Sequence, residues 1–223
     1  MQDIAIYDMD ETITRRATLL PFLLSVSFRL APWRVALLPA VAGALGGYLV
    51  GAIDRARLKE LNQRWLLGRT VDPTSLDRHA RRFARTTVRR GLKPGAVRQI
   101  AADRAAGRKL VLATASSRFY VDAIAELLEF DAVIATEVTV LQSGHFSPRI
   151  QGGNCYGAGK ATKIVDWMAR NGVERRDIHL TMYSDHISDI PSFELADEAV
   201  VVDPAPELRA EAFRRGWAVA EWG

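Results

Sequence analysis

Apolar positions in this chain come in two textures. Short uncharged runs closed by polar residues, at 4–7, 110–113, 132–135, 178–183 and 199–202, read as buried strands. Between them, apolar residues return every three or four positions at 96–106, at 120–128 and from Lys160 to about Asn171, which is helical spacing. Residues 138–141 and 145–148 flank Ser143-Gly144 and predict a hairpin, and Trp217 and Trp222 fall in a last strand, against the sheet edge or a membrane. Strand and helix alternate, which predicts an α/β fold: a doubly wound parallel sheet with right-handed crossovers and strand ends that converge in space.

One block breaks this rhythm. Residues 17–28 carry no charge, and residues 35–53 carry none for about nineteen positions, near the ~20 of a spanning helix. The first arm is too short to cross a ~30 Å hydrocarbon core. A single crossing would place Asp8 and Asp10 on one side of a bilayer and everything after Asp54 on the other. The segment therefore enters and leaves by one face if the early acids work with later residues. The preferred reading is a helical pair lying in the membrane interface, with Trp33 at headgroup depth and Arg29 and Arg34 snorkelling. The alternative is an apolar cap packed on itself or on a second copy of the chain.

Residues 54–67 follow as a helix with Leu58, Leu61, Trp65 and Leu66 on one side. The next helix, capped by Thr74 or Ser75, carries Arg78, Arg81, Arg82 and Arg85 on a single stripe, suited to anionic headgroups or a polyanionic substrate. No nucleic-acid fold signature accompanies it. Gly91-Leu92-Lys93-Pro94-Gly95 marks the return to the α/β domain.

Composition changes little in this picture. The 223 residues carry a net charge of +4, enough chain for one domain with an insertion. The single cysteine, Cys155, excludes an intrachain disulfide and points to a reducing compartment, and residues 1–3 lack the charged region of a secretory signal.

Candidate chemistry lies at the strand ends. The run 4–7 closes on Asp8 and Asp10, where open α/β sheets place their ligands. Two close carboxylates either share a cation, for which oxygen donors suit Mg²⁺, or serve only to cap the next helix. Thr114 ends a later strand, Lys160 opens a helix after Gly157-Ala158-Gly159, and Asp185 and Asp189 follow the strand at 178–183.

The order Asp8-Met9-Asp10-Glu11-Thr12, Thr114, Lys160 and Asp185 with Asp189 resembles the four motifs of the haloacid dehalogenase (HAD) superfamily. The insertion between the first two motifs looks like an all-helical class 1 cap. The wording around Thr114 and Lys160 is similar to the IB branch, which includes phosphoserine phosphatases. The apolar segment early in the cap looks like the membrane-associated phosphatidylglycerophosphatase C type. The resemblance implies a catalytic core at 1–14 and 92–223 and a cap at 15–91, with 17–53 as its membrane-associating part. It implies that Asp8 attacks phosphorus to give an aspartyl-phosphate while Asp10 acts as acid and then base. Mg²⁺ would be held by Asp8, the backbone carbonyl of Asp10 and Asp185, braced by Asp189, with Thr114 and Lys160 on the phosphoryl oxygens. Arg15, Arg16, Ser116 and Arg118 are further candidates for substrate contact. Ser184 and His186 depart from the pattern, where many members have Gly and Ser.

Three functions follow for comparison. The first is a Mg²⁺-dependent phosphomonoesterase acting on a membrane phospholipid such as phosphatidylglycerophosphate, cytoplasmic and peripheral on the inner face of the membrane. The second is a cytosolic phosphatase for a small metabolite such as phosphoserine, its apolar cap used for dimerisation. The third, a phosphoryl-accepting signalling domain, fails on motif order, because no acceptor Asp follows the strand at 109–114.

Overall fold

The apolar run after Gln2 becomes the middle of a sheet. The computed structural model describes residues 2–223. In it β1 (Gln2–Tyr7) lies between β2 (Lys109–Ser117) and β5 (Ile178–Ser184), parallel to both. The strand order is β4-β3-β2-β1-β5-β6-β7. Here β3 is Ala132–Val140, β4 Phe146–Gln151, β6 Glu198–Val202 and β7 Ala218–Ala220. All neighbours run parallel except β3 and β4.

Helices cover both faces of this sheet, so β1 is uniformly apolar, not alternating. Ala5 and Tyr7 join one core and Ile4 and Ile6 the other. Each buried aliphatic of this kind contributes roughly 1.5–3 kcal/mol. The chain turns from β1 to β2 on one side and reaches β5 on the other. The carboxyl ends of β1, β2 and β5 therefore border the crevice where strand order reverses.

Between β1 and α5 (Pro94–Ala105) the chain is helical: α1 (Leu19–Leu30), α2 (Leu38–Leu49), α3 (Arg55–Leu66) and α4 (Pro73–Arg90). Pro32 divides the apolar block, since the residue before a proline is pushed out of the helical region, and Ala31 sits at φ −152°. Among the described residues no helix is long and apolar enough to cross a membrane. Helix α1 buries Phe22, Leu23 and Val26, with the Phe22 ring stacked on Tyr120 at 4.6 Å. Helix α2 buries only Val41 and Ala44, while Leu49 and Val50 stand 73% and 80% exposed.

Several boundaries and faces differ from the sequence reading. Asp72, not Thr74 or Ser75, caps α4, accepting from the Ser75 amide at 2.8 Å, because Pro73 occupies the first helical position. The segments at 132–135 and 138–141 are one strand, since β3 continues through Thr136 to pair with β4. Helix α3 buries Lys59, Gln63 and Leu66, leaving Leu58, Leu61 and Trp65 half-exposed. Trp217 and Trp222 flank β7. Trp222 packs into the core beside Tyr183 at 5.5 Å, and the partly buried Trp217 packs against Phe193 at 4.9 Å. The stripe of Arg78, Arg81, Arg82 and Arg85 is solvent-facing, with Arg81 paired to Asp77 and Glu126.

Candidate active site

Asp8 leaves the end of β1 with its amide donating to the Tyr183 carbonyl on β5 at 2.9 Å. That bond continues the ladder one residue past the strand and points the buried carboxylate into the crevice. Lys160, from the first turn of the helix Ala158–Arg170, donates to Asp8 Oδ1 at 2.9 Å and to Asp189 Oδ2 at 2.5 Å. The turn before it requires glycine: a Cβ on Gly159 would lie 2.7 Å from the Asn154 carbonyl oxygen. Ser184, at a position where glycine was expected, donates to Asp189 Oδ2 at 2.6 Å. Thr12 Oγ1 donates to Asp185 Oδ1 at 2.6 Å, accepts from the Asp185 amide at 3.0 Å and lies 3.4 Å from Asp8 Oδ2, linking the early and late acids.

The electrostatics are those of too few cations. Burial pushes Asp8 up to about 7 against the pull of Lys160, with Asp189 and Asp185 pushing the same way. Burial also raises Asp185. Burial alone would depress Lys160, yet the two carboxylates it touches outweigh this and its affinity for the proton rises. Asp189 Oδ1 is buried with no hydrogen-bond partner.

Asp10 stands across the crevice. Its Oδ1 accepts from the Thr18 amide at 2.7 Å and the Thr18 hydroxyl at 2.6 Å, and its Oδ2 accepts from Ser116 Oγ at 2.5 Å. Tyr120 extends the chain, 2.8 Å from Thr18 Oγ1. These bonds fix the direction of a carboxylate that lines the cleft. Lys93 donates to the Glu11 carbonyl and to Asp203 at 2.8 Å, holding the turn in which Glu11 adopts φ +63°.

Asp8, Asp10, Thr114, Ser116, Lys160, Asp185 and Asp189 share one cleft of about 330 Å³. Its opposite wall comes from the helical insertion and includes Leu45, Tyr48, Leu58 and Lys59. Lys59 escapes sequence reading because it falls in an ordinary basic run. Its amine is buried, donates to the Ala115 carbonyl and to Asn154 Oδ1 at 2.5 Å, and is held down to about 7 by burial and then by Arg55. Thr12, Thr18 and Ser184 also go unassigned in the sequence, since a hydroxyl's role depends on which strand end faces it.

Arg15, Arg16 and Arg118 do not line this cleft. Arg118 Nη2 donates to the Val133 carbonyl at 2.9 Å, and the side chain pairs with Glu137 and Asp122. Arg15 Nε donates to the Leu92 carbonyl at 3.0 Å. His186 does line the cleft, its Nδ1 lying 2.8 Å from the Ser188 hydroxyl. Cys155 is buried and its thiol pushed up to about 11 by that burial, far from the thiolate a nucleophile needs.

Among the described residues no three His, Cys, Asp or Glu side chains converge as a complete metal cage. Two carboxylates and a main-chain carbonyl do not make such a cage, and Mg²⁺ habitually completes its shell with water and substrate oxygens. The orphaned Asp189 Oδ1, the raised Asp8 and Asp185, and the all-oxygen donor set fit a hard divalent cation.

A family model described as haloacid dehalogenase-like hydrolase matches residues 5–194. A probable phosphatase of Mycobacterium tuberculosis is 37% identical over 120 residues, 54% of this chain and 40% of the relative. A phosphoserine phosphatase of the same species is 31% identical over 117 residues, 52% of this chain and 37% of the relative. The matches thus span less than half the length of these two curated relatives. A crystal structure of a Bordetella pertussis protein of unknown function superposes with a TM-score of 0.88 at 25% identity, over 100% of both chains.

Proposed function

The chain belongs to the haloacid dehalogenase-like hydrolase family, and we propose that it is a Mg²⁺-dependent phosphomonoesterase working through an aspartyl-phosphate on Asp8. The observation that carries this is the pairing of a buried carboxylate braced by Lys160 with a second, Asp10, aimed across the same cleft by Thr18 and Ser116. The Asp8 carboxylate attacks phosphorus, the bond to the leaving oxygen breaks, and that oxygen takes its proton from Asp10. Asp10 then removes a proton from water, whose oxygen displaces Asp8 and releases inorganic phosphate. Lys160 and Thr114 hold the phosphoryl oxygens as charge shifts onto them. Asp8, the Asp10 carbonyl and Asp185 would hold Mg²⁺, with Asp189 behind them. The ion would supply the positive charge that lets a carboxylate approach a phosphate dianion.

For the alcohol half of the substrate we propose a membrane phospholipid, of which phosphatidylglycerophosphate is the model. Leu19, Leu45, Tyr48 and Leu58 line the cleft on the insertion side. Nearby on the insertion, Phe28, Trp33, Leu49 and Val50 are more than half exposed and flanked by Arg29, the makeup of an interfacial anchor, whereas Arg34 does not snorkel as expected but is partly buried and donates to the Trp65 carbonyl at 3.2 Å. On this reading the protein works peripherally at the inner, cytoplasmic face of a membrane. A small-metabolite substrate is the second reading, favoured by the relative named phosphoserine phosphatase; the apolar face would then meet a second copy of the chain.

Phosphate release from phosphatidylglycerophosphate in mixed micelles, measured beside phosphoserine with and without Mg²⁺, separates the two. The lipid reading fails if phosphoserine is turned over with the higher kcat/KM. Asp8→Asn abolishes both activities, because an amide forms no acyl-phosphate. Leu49→Glu with Val50→Glu removes vesicle binding on the membrane reading, and converts a dimer to a monomer in sedimentation on the other.

A further inference from the structure

Arg15 and Arg16, which the sequence offers to the substrate, face a different cavity. It measures about 420 Å³ and opens between the segment entering the helical insertion and the last turns of α4 leaving it. The two crossings are tied there: Thr14 bridges to Leu92, and the Arg15 amide donates to the Gly91 carbonyl at 2.7 Å.

Arg15, Arg16 and Arg90 line this cavity together with Thr86, Phe83 and Pro21, and Arg15 Nε is already engaged with the Leu92 carbonyl at 3.0 Å. No acidic side chain lines it. Two other arginines near the insertion are paired, Arg81 to Asp77 and Glu126 and Arg118 to Glu137 and Asp122. These three have no carboxylate partner among the described residues. Like charges gathered around a concave surface repel one another, and an external anion relieves that repulsion. Planar guanidinium forks match the tetrahedral oxygens of a phosphoryl group, and a hydroxyl adds a neutral donor.

We propose that this cavity is a second anion site, separate from the catalytic cleft, that takes a phosphoryl dianion. The group arrives either as free phosphate or as a phospholipid headgroup whose first carbons rest on Phe83 and Pro21. Ala17 lines both cavities, and Thr18, which lines this one, also holds Asp10, the proposed general acid.

The test is a titration of the full chain with inorganic phosphate in the presence of a chelator, followed by amide ¹H–¹⁵N spectra. Saturable shifts are expected at Arg15, Arg16, Thr86 and Gly91. Arg16→Gln combined with Arg90→Gln weakens binding about tenfold, while hydrolysis of p-nitrophenyl phosphate stays within about twofold of wild type. In parallel, co-sedimentation compares phosphatidylcholine vesicles with and without phosphatidic acid. Saturation by inorganic phosphate that the double variant weakens assigns a soluble ligand. Retention on phosphatidic acid vesicles alone, lost in the double variant, assigns a headgroup. No saturable response in either arm, or a double variant indistinguishable from wild type in both, overturns the proposal. Because the titration needs neither Mg²⁺ nor turnover, its outcome is independent of the catalytic reading.

Discussion

Replacing Lys160 by methionine tests the electrostatic account of the site most directly. The amine is buried between two buried carboxylates, 2.9 Å from Asp8 and 2.5 Å from Asp189. Methionine fills a similar volume but leaves those charges uncompensated, which costs about 3–5 kcal/mol for a buried pair broken on one side. For a chain of this length that is a fall in Tm of roughly 6–20 °C, read by circular dichroism in chelator. The penalty depends on pH in a definite sense. Burial already holds Asp8 near 7, above its unfolded value of 3.8, so the folded state binds the extra proton and stability falls as pH rises between those values. Without Lys160, burial acts on Asp8 unopposed and the carboxyl keeps its proton to higher pH. The deficit of Lys160→Met is therefore larger at about pH 8 than at about pH 5. Adding Asp189→Asn removes one of the stranded charges and recovers part of the loss, a coupling of about 1–3 kcal/mol. A variant whose Tm stays within about 2 °C of wild type at both pH values would refute the account.

Thr18→Val removes one of the three donors that aim Asp10 and the partner of Tyr120; kcat for p-nitrophenyl phosphate should fall about tenfold, with KM little changed. Gly95→Ala places a Cβ 2.5 Å from the Trp222 side chain and 2.6 Å from its backbone, and should cost about 1–3 kcal/mol in urea denaturation. Lys59 is held at about 7 by burial and by Arg55, below its unfolded value of 10.5, so the unfolded chain binds more protons between those values. Wild-type stability should accordingly gain on Lys59→Met as pH rises from about 7 to about 10, and a constant difference would show that the amine is not depressed.

The sheet was legible because its strands are buried on both faces and so read as unbroken apolar runs. Asp8, Asp10, Lys160 and Asp185 were legible for a related reason: each sits where such a run or a glycine turn ends, and backbone geometry alone brings those points together. Arg15 and Arg16 were not, because their direction depends on how the chain bends after Thr14 and pairs with Leu92, a contact between residues far apart in sequence. Lys59 escaped for another reason. A helix face carrying lysine and glutamine reads as solvated unless the acceptors that satisfy it, here the Ala115 carbonyl and Asn154, are known to lie opposite. The length of β3 escaped because Thr136, a polar residue between two apolar stretches, looks like an interruption. In the fold its buried hydroxyl receives the Cys155 amide at 3.1 Å.

The position of the first strand has a consequence for how the molecule is made. β1 emerges from the ribosome well before its partners, one of which begins at Lys109 and the other at Ile178. Helices α1–α4, whose hydrogen bonds are local, can form while β1 still has both edges bare. The ladder around Asp8 closes only once Ile178–Ser184 has been synthesised, so Asp8 reaches its final surroundings well after the helices between have formed.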